Sequence, residues 1–420
     1  MIYYSESGPE KEFGRERAKA ALETILESFS NRKKVLILPP DITRAHSGAG
    51  MLTELLWQNL GERVSDILPA LGTHVPMTQS EISRMYGSVP PSLFREHRWR
   101  TDIEELGRVP SSFVSEVTEG RLTFDYPVQV NRLLASGGHD LIISVGQVVP
   151  HEVTGMANYN KNVFVGCGGS EAINKSHFLG AVHGIENILG TTENPVRAVL
   201  NKASEIAAPM LPLLYILTVV APDSEGRLKI RGIFAGDDIE CFRQAAALSR
   251  EVNFTTLPER LKKVVVWLDP EEFKSTWLGN KSIYRTRMAI ADDGELVVLA
   301  PGVRTFGEDP AIDRLIRKYG YRTTPEILAF TEYNDDLKEN LSAAAHLIHG
   351  SPENRFSVIY AAGLLSREEV ESVGYGYGEI NMLLKQYNPE SLQTGFHRLP
   401  GGEEFYFISN PATGLWKAAR

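Results

Sequence analysis

The chain has 420 residues, of which 42% are hydrophobic and 23% charged, so it is long enough for two lobes that each bury an ample core. A net charge of −9 with no dense Lys/Arg run argues against a nucleic-acid or anionic-membrane partner and for small-molecule chemistry. Cys167 and Cys241 are the only cysteines, which excludes a disulfide framework and a thiolate metal cage. The first residues, MIYYSESGPEKEFGRER, lack a secretory pattern, and no run approaches eighteen apolar residues, so a cytoplasmic protein is expected.

In chain order, Ser7-Gly8-Pro9-Glu10 has the form of a capping box, and Leu22, Ile25, Leu26 and Phe29 recur at helical spacing, which predicts a first helix from about Pro9 to Ser30. Val35 to Pro40 is a continuous apolar run of the kind buried on both faces of a parallel sheet, followed by Asp41-Ile42-Thr43-Arg44. A helix over Met51 to Leu60 leads to a second strand, Val64 to Leu71, which opens into Gly72-Thr73-His74-Val75-Pro76-Met77 before Thr78-x-x-Glu81 caps another helix. The third strand, Asp140 to Val149, delivers His151, and residues 87–139 between them give little periodic signal.

Gly166 to Gly169 should form a tight turn before a helix carrying His177. A helix over Pro195 to Ile206, strands at Leu213 to Val220 and Arg227 to Phe234, and a helix over Ile239 to Arg250 complete the first lobe, with Leu257 to Lys263 as a linker. Val264 to Leu268, Leu296 to Ala300, Ser357 to Ala361 and Phe405 to Ile408 then read as short strands, separated by helical segments around Ser282 to Ile290, Pro310 to Tyr319 and Leu337 to His349. The expected fold is two α/β domains with the active site in the crevice between them: residues 1–257 as the catalytic and cofactor-binding domain, with room for the last residues to rejoin it, and residues 264–408 as the second domain.

Asp41 with Arg44, His74 and His151 each follow a predicted strand, and in open parallel sheets ligands bind outside the carboxyl ends of strands. Two histidines across a crevice suit acid–base work, because imidazole titrates near neutral pH. Flanking a prochiral carbon, such a pair could remove and return a proton on either face, which permits racemisation or epimerisation. Taken singly, each residue has an ordinary reading: a hydrogen-bonded loop histidine, a local Asp–Arg turn, solvated lysines at Lys161 and Lys175, a half-buried His177, or a glycine turn that serves either a tight bend or a phosphate nest. Two rival classes therefore stay open: a metal-assisted hydrolase with His74, His151 and His177 as ligands, and a phosphate- or nucleotide-binding protein using Gly166 to Gly169.

Together, PPDITR (Asp41, Arg44), GTHVPMT (His74), VVPHEVTG (His151), Lys161 ten residues later, and INKSH ending at His177 resemble the nickel-pincer nucleotide-dependent lactate racemase family over roughly residues 35 to 185. The resemblance implies a pyridinium bis-thio mononucleotide bearing nickel, tethered to Lys161, with His177 as the protein's nickel ligand in a square-planar site. It implies His74 and His151 as the acid–base pair, Asp41 and Arg44 as contacts to cofactor and substrate, Gly168 and Gly169 as cofactor-binding glycines, and hydride transfer to and from C2 of a 2-hydroxy acid. Cofactor-building enzymes would be its partners, and an oligomer is compatible with it.

Two segments depart from the family pattern. The loop before the lysine is Ala157-Asn158-Tyr159-Asn160 rather than serine- and glycine-rich. The family's second-domain Tyr-Gln-x-x-Lys is matched by Tyr284-Arg285-Thr286-Arg287-Met288. With Lys281 and Arg304, these residues suggest a pocket richer in hydrogen-bond donors than a methyl group needs, unless they form an exposed charged helix face. The expectation is a C2 epimerase or racemase of a sugar acid such as mannonate or gluconate, with Tyr284 and Arg285 touching substrate; lactate or another short 2-hydroxy acid is the alternative.

Overall fold

In the computed structural model, which describes residues 1–419, the chain forms two compact units. The first contains residues 1–183 and 187–253. Its strands are β1 (Ile2–Ser7), β2 (Val35–Leu38), β3 (Val64–Ile67), β4 (Ile103–Val109), β5 (Tyr126–Asn131), β6 (Leu141–Gln147), β7 (Pro150–His151), β8 (Gly155–Met156), β9 (Leu213–Pro222) and β10 (Leu228–Gly236). Six of these make one sheet in the order β1-β10-β9-β6-β2-β3, with β3, β2, β6 and β9 parallel, β10 antiparallel to β9, and β1 antiparallel to β10.

β2 and β6 are buried at every position, which explains the unbroken apolar run of β2 and the largely apolar sequence of β6. On one face Ile37, Ile143, Val145 and Ile216 pack with Leu22 and Ile25 of the helix Arg15–Glu27 and with Leu52 and Leu56 of the helix Ala49–Leu60. Each fully buried side chain of this size contributes about 1.5–3 kcal/mol. The sheet extends from β2 to β3 on one side and to β6 on the other, so the strand order reverses at β2/β6, where an open α/β sheet leaves a ligand crevice.

The second unit contains residues 184–186 and the chain from 254 onward. Its strands are β11 (Phe254–Leu257), β12 (Leu261–Trp267), β13 (Ile290–Ala300), β14 (Phe356–Ala362), β15 (Gly376–Tyr377), β16 (Gly395–Arg398), β17 (Glu404–Ile408) and β18 (Leu415–Ala418). The sheet order is β15-β14-β13-β12-β17-β16, parallel except for β16. β11 pairs in parallel with β18, so the last residues stay in the second unit and do not rejoin the first, and the expected linker 257–263 is largely the junction of two strands.

Other departures have local causes. The first helix begins at Arg15 behind Gly14, not at Pro9, because Ile2 to Ser7 pairs with β10 and Gly8 bonds to Arg231 O. The expected helix over Ser282–Ile290 stops at Tyr284, since the carbonyls of Arg285 and Met288 accept N–H bonds from Trp416 and Ala418. The helical run at 337–349 divides into Asp335–Lys338 and Leu341–Gly350, the second capped by Asn340. Residues 87–139 hold the β4/β5 hairpin, whose tip region carries the helix Ser111–Val117.

Candidate functional site

The loops leaving β2, β3 and β6 are laced to one another. Leu68 N donates to Ile37 O, Ala70 N to Pro39 O at 2.8 Å, and Gly72 N to Gly166 O at 2.8 Å, so the His74 loop follows the exit of β2 and meets the turn before Gly168. The Asn162 amide donates to Leu38 O at 3.1 Å and to Ser144 Oγ at 3.0 Å, thereby bridging the ends of β2 and β6. Lys161, the residue before it, is thus fixed at the switch point of the sheet. A π-helical turn over Asn162–Gly166 carries the chain on to the helix Ser170–His183.

Asp41 caps the turn Ile42–Ser47 and is 3% exposed. Its Oδ1 accepts from Thr43 N at 3.1 Å and Thr43 Oγ1 at 2.5 Å, while Oδ2 lies 2.6 Å from His74 Nδ1. Burial pushes the Asp41 carboxyl up, but His74, the Thr43 hydroxyl and Arg44 outweigh it and hold it at about 2. A carboxylate only accepts, so Nδ1 of His74 carries a proton, and a neutral His74 has its lone pair on Nε2. His151 is arranged oppositely: Val153 N donates to its Nδ1 at 3.1 Å, which places the proton of the neutral ring on Nε2. The hairpin of β7 and β8, with His151 opposite Gly155, holds that ring.

Lys161 is half-buried, and burial followed by repulsion from Arg44 brings its amine down to about 8 against the pull of Glu152 and Asp41. At neutral pH a useful fraction is unprotonated and nucleophilic. His177 Nδ1 donates to Ile173 O at 2.7 Å, so its lone pair is on Nε2; burial and the neighbouring Lys161 push its imidazole down to about 4. A neutral imidazole fixed by a carbonyl is the state a metal ligand requires. Among the described residues no group of three His, Cys, Asp or Glu side chains could hold a metal ion, so a three-histidine cage of His74, His151 and His177 is absent. One histidine beside one low-pKa amine suits instead a tethered group that brings its own donors, and in this respect Lys161 and His177 fit the pincer nucleotide.

The glycines have a packing role. A Cβ on Gly168 would lie 2.1 Å from Phe164 O and one on Gly169 2.4 Å from Gln129 Oε1, so both positions are closed by protein atoms. Sequence reasoning missed what braces them. His97, 2% exposed, donates from Nε2 to Gly168 O at 3.0 Å and accepts on Nδ1 from Asn131 at 3.1 Å, while Asn131 N donates to Cys167 O. Residues 87–139 therefore buttress the glycine turn from below.

Burial keeps His97 neutral, with its imidazole down at about 4. The unfolded chain binds this proton from about pH 6.5 downward while the fold resists it, so the stability is present above 6.5 and lost as pH falls towards 4. Urea unfolding should show a loss approaching about 3 kcal/mol over that window, shared with other buried histidines, and His97→Gln should flatten it measurably. An unchanged pH slope in the variant would remove this role.

Arg197, invisible as a site residue in the sequence, is fully buried and ties the His151 hairpin to the lysine loop. Its guanidinium donates to Met156 O at 2.6 Å, Thr154 O at 3.4 Å and the Asn160 side chain, and stacks 4.4 Å from the Phe242 ring centroid. Between these anchors Asn158 and Tyr159 both adopt left-handed backbone, at φ 64° and 58°. The Ala157–Asn160 loop is thus a braced, bent segment.

In the second unit Tyr284, Arg285, Lys281 and Arg287 are buried, not spread on an exposed face, whereas Arg304 is exposed. Tyr284 OH lies 2.7 Å from His346 Nδ1, whose Nε2 is 2.9 Å from Tyr321 OH. Arg285 Nη1 donates to Gly414 O, and Arg287 is held by Glu186 at 2.7 Å and by the carbonyls of His349 and Ser351.

Residues 14–188 match the family described as the lactate racemase N-terminal domain. No curated protein matches the chain. Among solved structures, a protein from Thermotoga maritima aligns at 24% identity with a TM-score of 0.85, covering 98% of this chain and 100% of that one. The lactate racemase apoprotein from Thermoanaerobacterium thermosaccharolyticum aligns at 17% identity with a TM-score of 0.70, covering 96% and 92%. Both likenesses concern the fold, and no helix among the described residues is long and apolar enough to cross a membrane. Residues 14–188 are thus similar to the lactate racemase N-terminal domain family, and the chain shares the fold of the lactate racemase apoprotein.

Proposed function

We propose that the protein is a racemase or epimerase that inverts C2 of a 2-hydroxy acid, and that its substrate is a sugar acid of the gluconate or mannonate type. The observation supporting the reaction class is that two histidines of the matched stretch are held in opposite tautomers: His74 with its acceptor on Nε2 and His151 with its donor on Nε2. Lys161 would hold the nickel-pincer nucleotide covalently and His177 Nε2 would ligate its nickel. When bound, that group supplies an acceptor for the α-hydrogen as hydride, which avoids forming a carbanion next to a carboxylate.

The side chains do the rest. His74 Nε2 takes the hydroxyl proton while Asp41 stabilises the imidazolium that results. Neutral His151 keeps its proton and donates an Nε2–H hydrogen bond to the oxygen when it lies on the other face, and that oxygen regains the proton His74 took. Arg44 offers its guanidinium to the carboxylate. The sugar-acid assignment is supported by the sequence, in which Arg285 and Met288 stand at the positions of the family's glutamine and lysine.

The test is protein made alongside the cofactor-building enzymes. Intact mass should show an added group that Lys161→Ala lacks, nickel should approach one per chain, and proton NMR should show C2 inversion of gluconate or mannonate. His151→Ala should lower kcat by about 10²–10⁴-fold. A nickel-free chain with no bound mass under native conditions ends the cofactor reading, and turnover of lactate alone ends the sugar-acid reading.

A further inference from the structure

Gln147 is the last residue of β6, 4% exposed, and neither its Oε1 nor its Nε2 has a hydrogen-bond partner. Because both atoms are orphaned, exchanging the amide oxygen and nitrogen changes nothing. A buried amide lacking both bonds costs several kcal/mol unless something fills it.

Its position identifies where the partner would come from. Gln147 is in register with Thr218 on the parallel neighbour β9, so the two side chains leave the sheet on the same face. Thr218 Oγ1 donates to Ser47 O at 2.8 Å, which ties that face to the turn Ile42–Ser47 carrying Arg44. Arg44 Nη1 is likewise buried without a partner. Two orphaned polar groups thus stand on neighbouring elements at the carboxyl end of the sheet, four residues of chain before His151.

The chemistry of the two orphans distinguishes ligands. A carboxylate satisfies the guanidinium and the amide N–H but leaves Oε1 without a donor, and the methyl of lactate satisfies neither amide atom. A hydroxyl both donates and accepts. We propose that Gln147 binds a substrate hydroxyl outside the reacting C2 centre and so selects polyhydroxy acids over short ones; this rests on the sugar-acid reading above.

The experiment compares wild type with Gln147→Met, of similar volume but with no amide. KM for gluconate should rise about five- to fifteen-fold with kcat within about twofold and nickel content unchanged, as expected for one uniform hydrogen bond. In the chain purified without cofactor, gluconate should raise the melting temperature of wild type more than that of the variant. An unchanged KM, or a fall in nickel content with equal losses on every substrate, overturns the assignment, the latter by placing the contact on the cofactor. A wild type that turns over lactate and no aldonate removes the sugar-acid reading and this assignment together, whereas aldonate turnover with an indifferent variant removes only the assignment.

Discussion

Asp41→Asn should lower kcat by about 10²–10⁴-fold with little change in stability or KM. The size follows from which atom of the carboxylate does what. Thr43 N and Thr43 Oγ1 both donate to Oδ1, so in the variant the amide oxygen must stay on that side and the NH₂ must face His74. An NH₂ donates to Nδ1 where the carboxylate accepted from it, which moves the imidazole proton to Nε2. His74 is then a hydrogen-bond donor at the atom required to take a proton, and the negative charge that steadies its imidazolium is gone. The turn itself persists, because the bonds to Thr43 survive. Steady-state kinetics with urea unfolding as control checks this, and a variant within tenfold of wild type would falsify the role of Asp41 as the group that sets the tautomer.

The loop carrying Asp41 was legible because Val35–Leu38 is a continuous apolar run ending at proline, a pattern that sheet burial imposes directly, and those carrying His74 and His151 because their strands are apolar-rich although broken by Ser65-Asp66 and by Ser144 and Gln147. The roles of Lys161 and His177 came only from resemblance; spacing does not say that Asn162 bridges β2 and β6 or that Ile173 O fixes an imidazole. β1 was hidden by a capping-box pattern at Ser7–Glu10 that the chain does not use, since pairing with β10 claims the residues before it. β4 was hidden because its register shifts between Glu105 and Arg108, which breaks the two-residue alternation. Gln147, His97 and Arg197 gave no signal, because their significance lies in partners 34 to 71 residues away, or in having none.

Arg197→Met should destabilise the first unit by about 3 kcal/mol, lowering its melting temperature by roughly 6–12 °C. Two opposing terms decide the sign. The native guanidinium is fully buried, held by carbonyl and amide oxygens, and burial brings it down to about 10, so an apolar side chain of similar length recovers a desolvation cost. Against this, methionine strands Met156 O, Thr154 O and the Asn160 side chain in a site too enclosed for water to replace all of the donors, at about 1–3 kcal/mol for each unsatisfied group. Asn160 also donates to Asn201 and Ser204, so losing its orientation loosens the helix Pro195–Ala207 as well as the loop. The left-handed backbone at Asn158 and Tyr159 then loses the anchors that offset its strain, of order 1–3 kcal/mol per residue, and the segment before Lys161 relaxes. Arg197→Lys should fall between, since one ammonium cannot reach both carbonyls and the amide in the guanidinium's planar geometry. Thermal and urea unfolding of the three proteins, with limited proteolysis to detect opening at residues 157–161, provide the measurement. A methionine variant within 1 kcal/mol of wild type and with no new cleavage there would show that the loop is held by its own packing and not by Arg197.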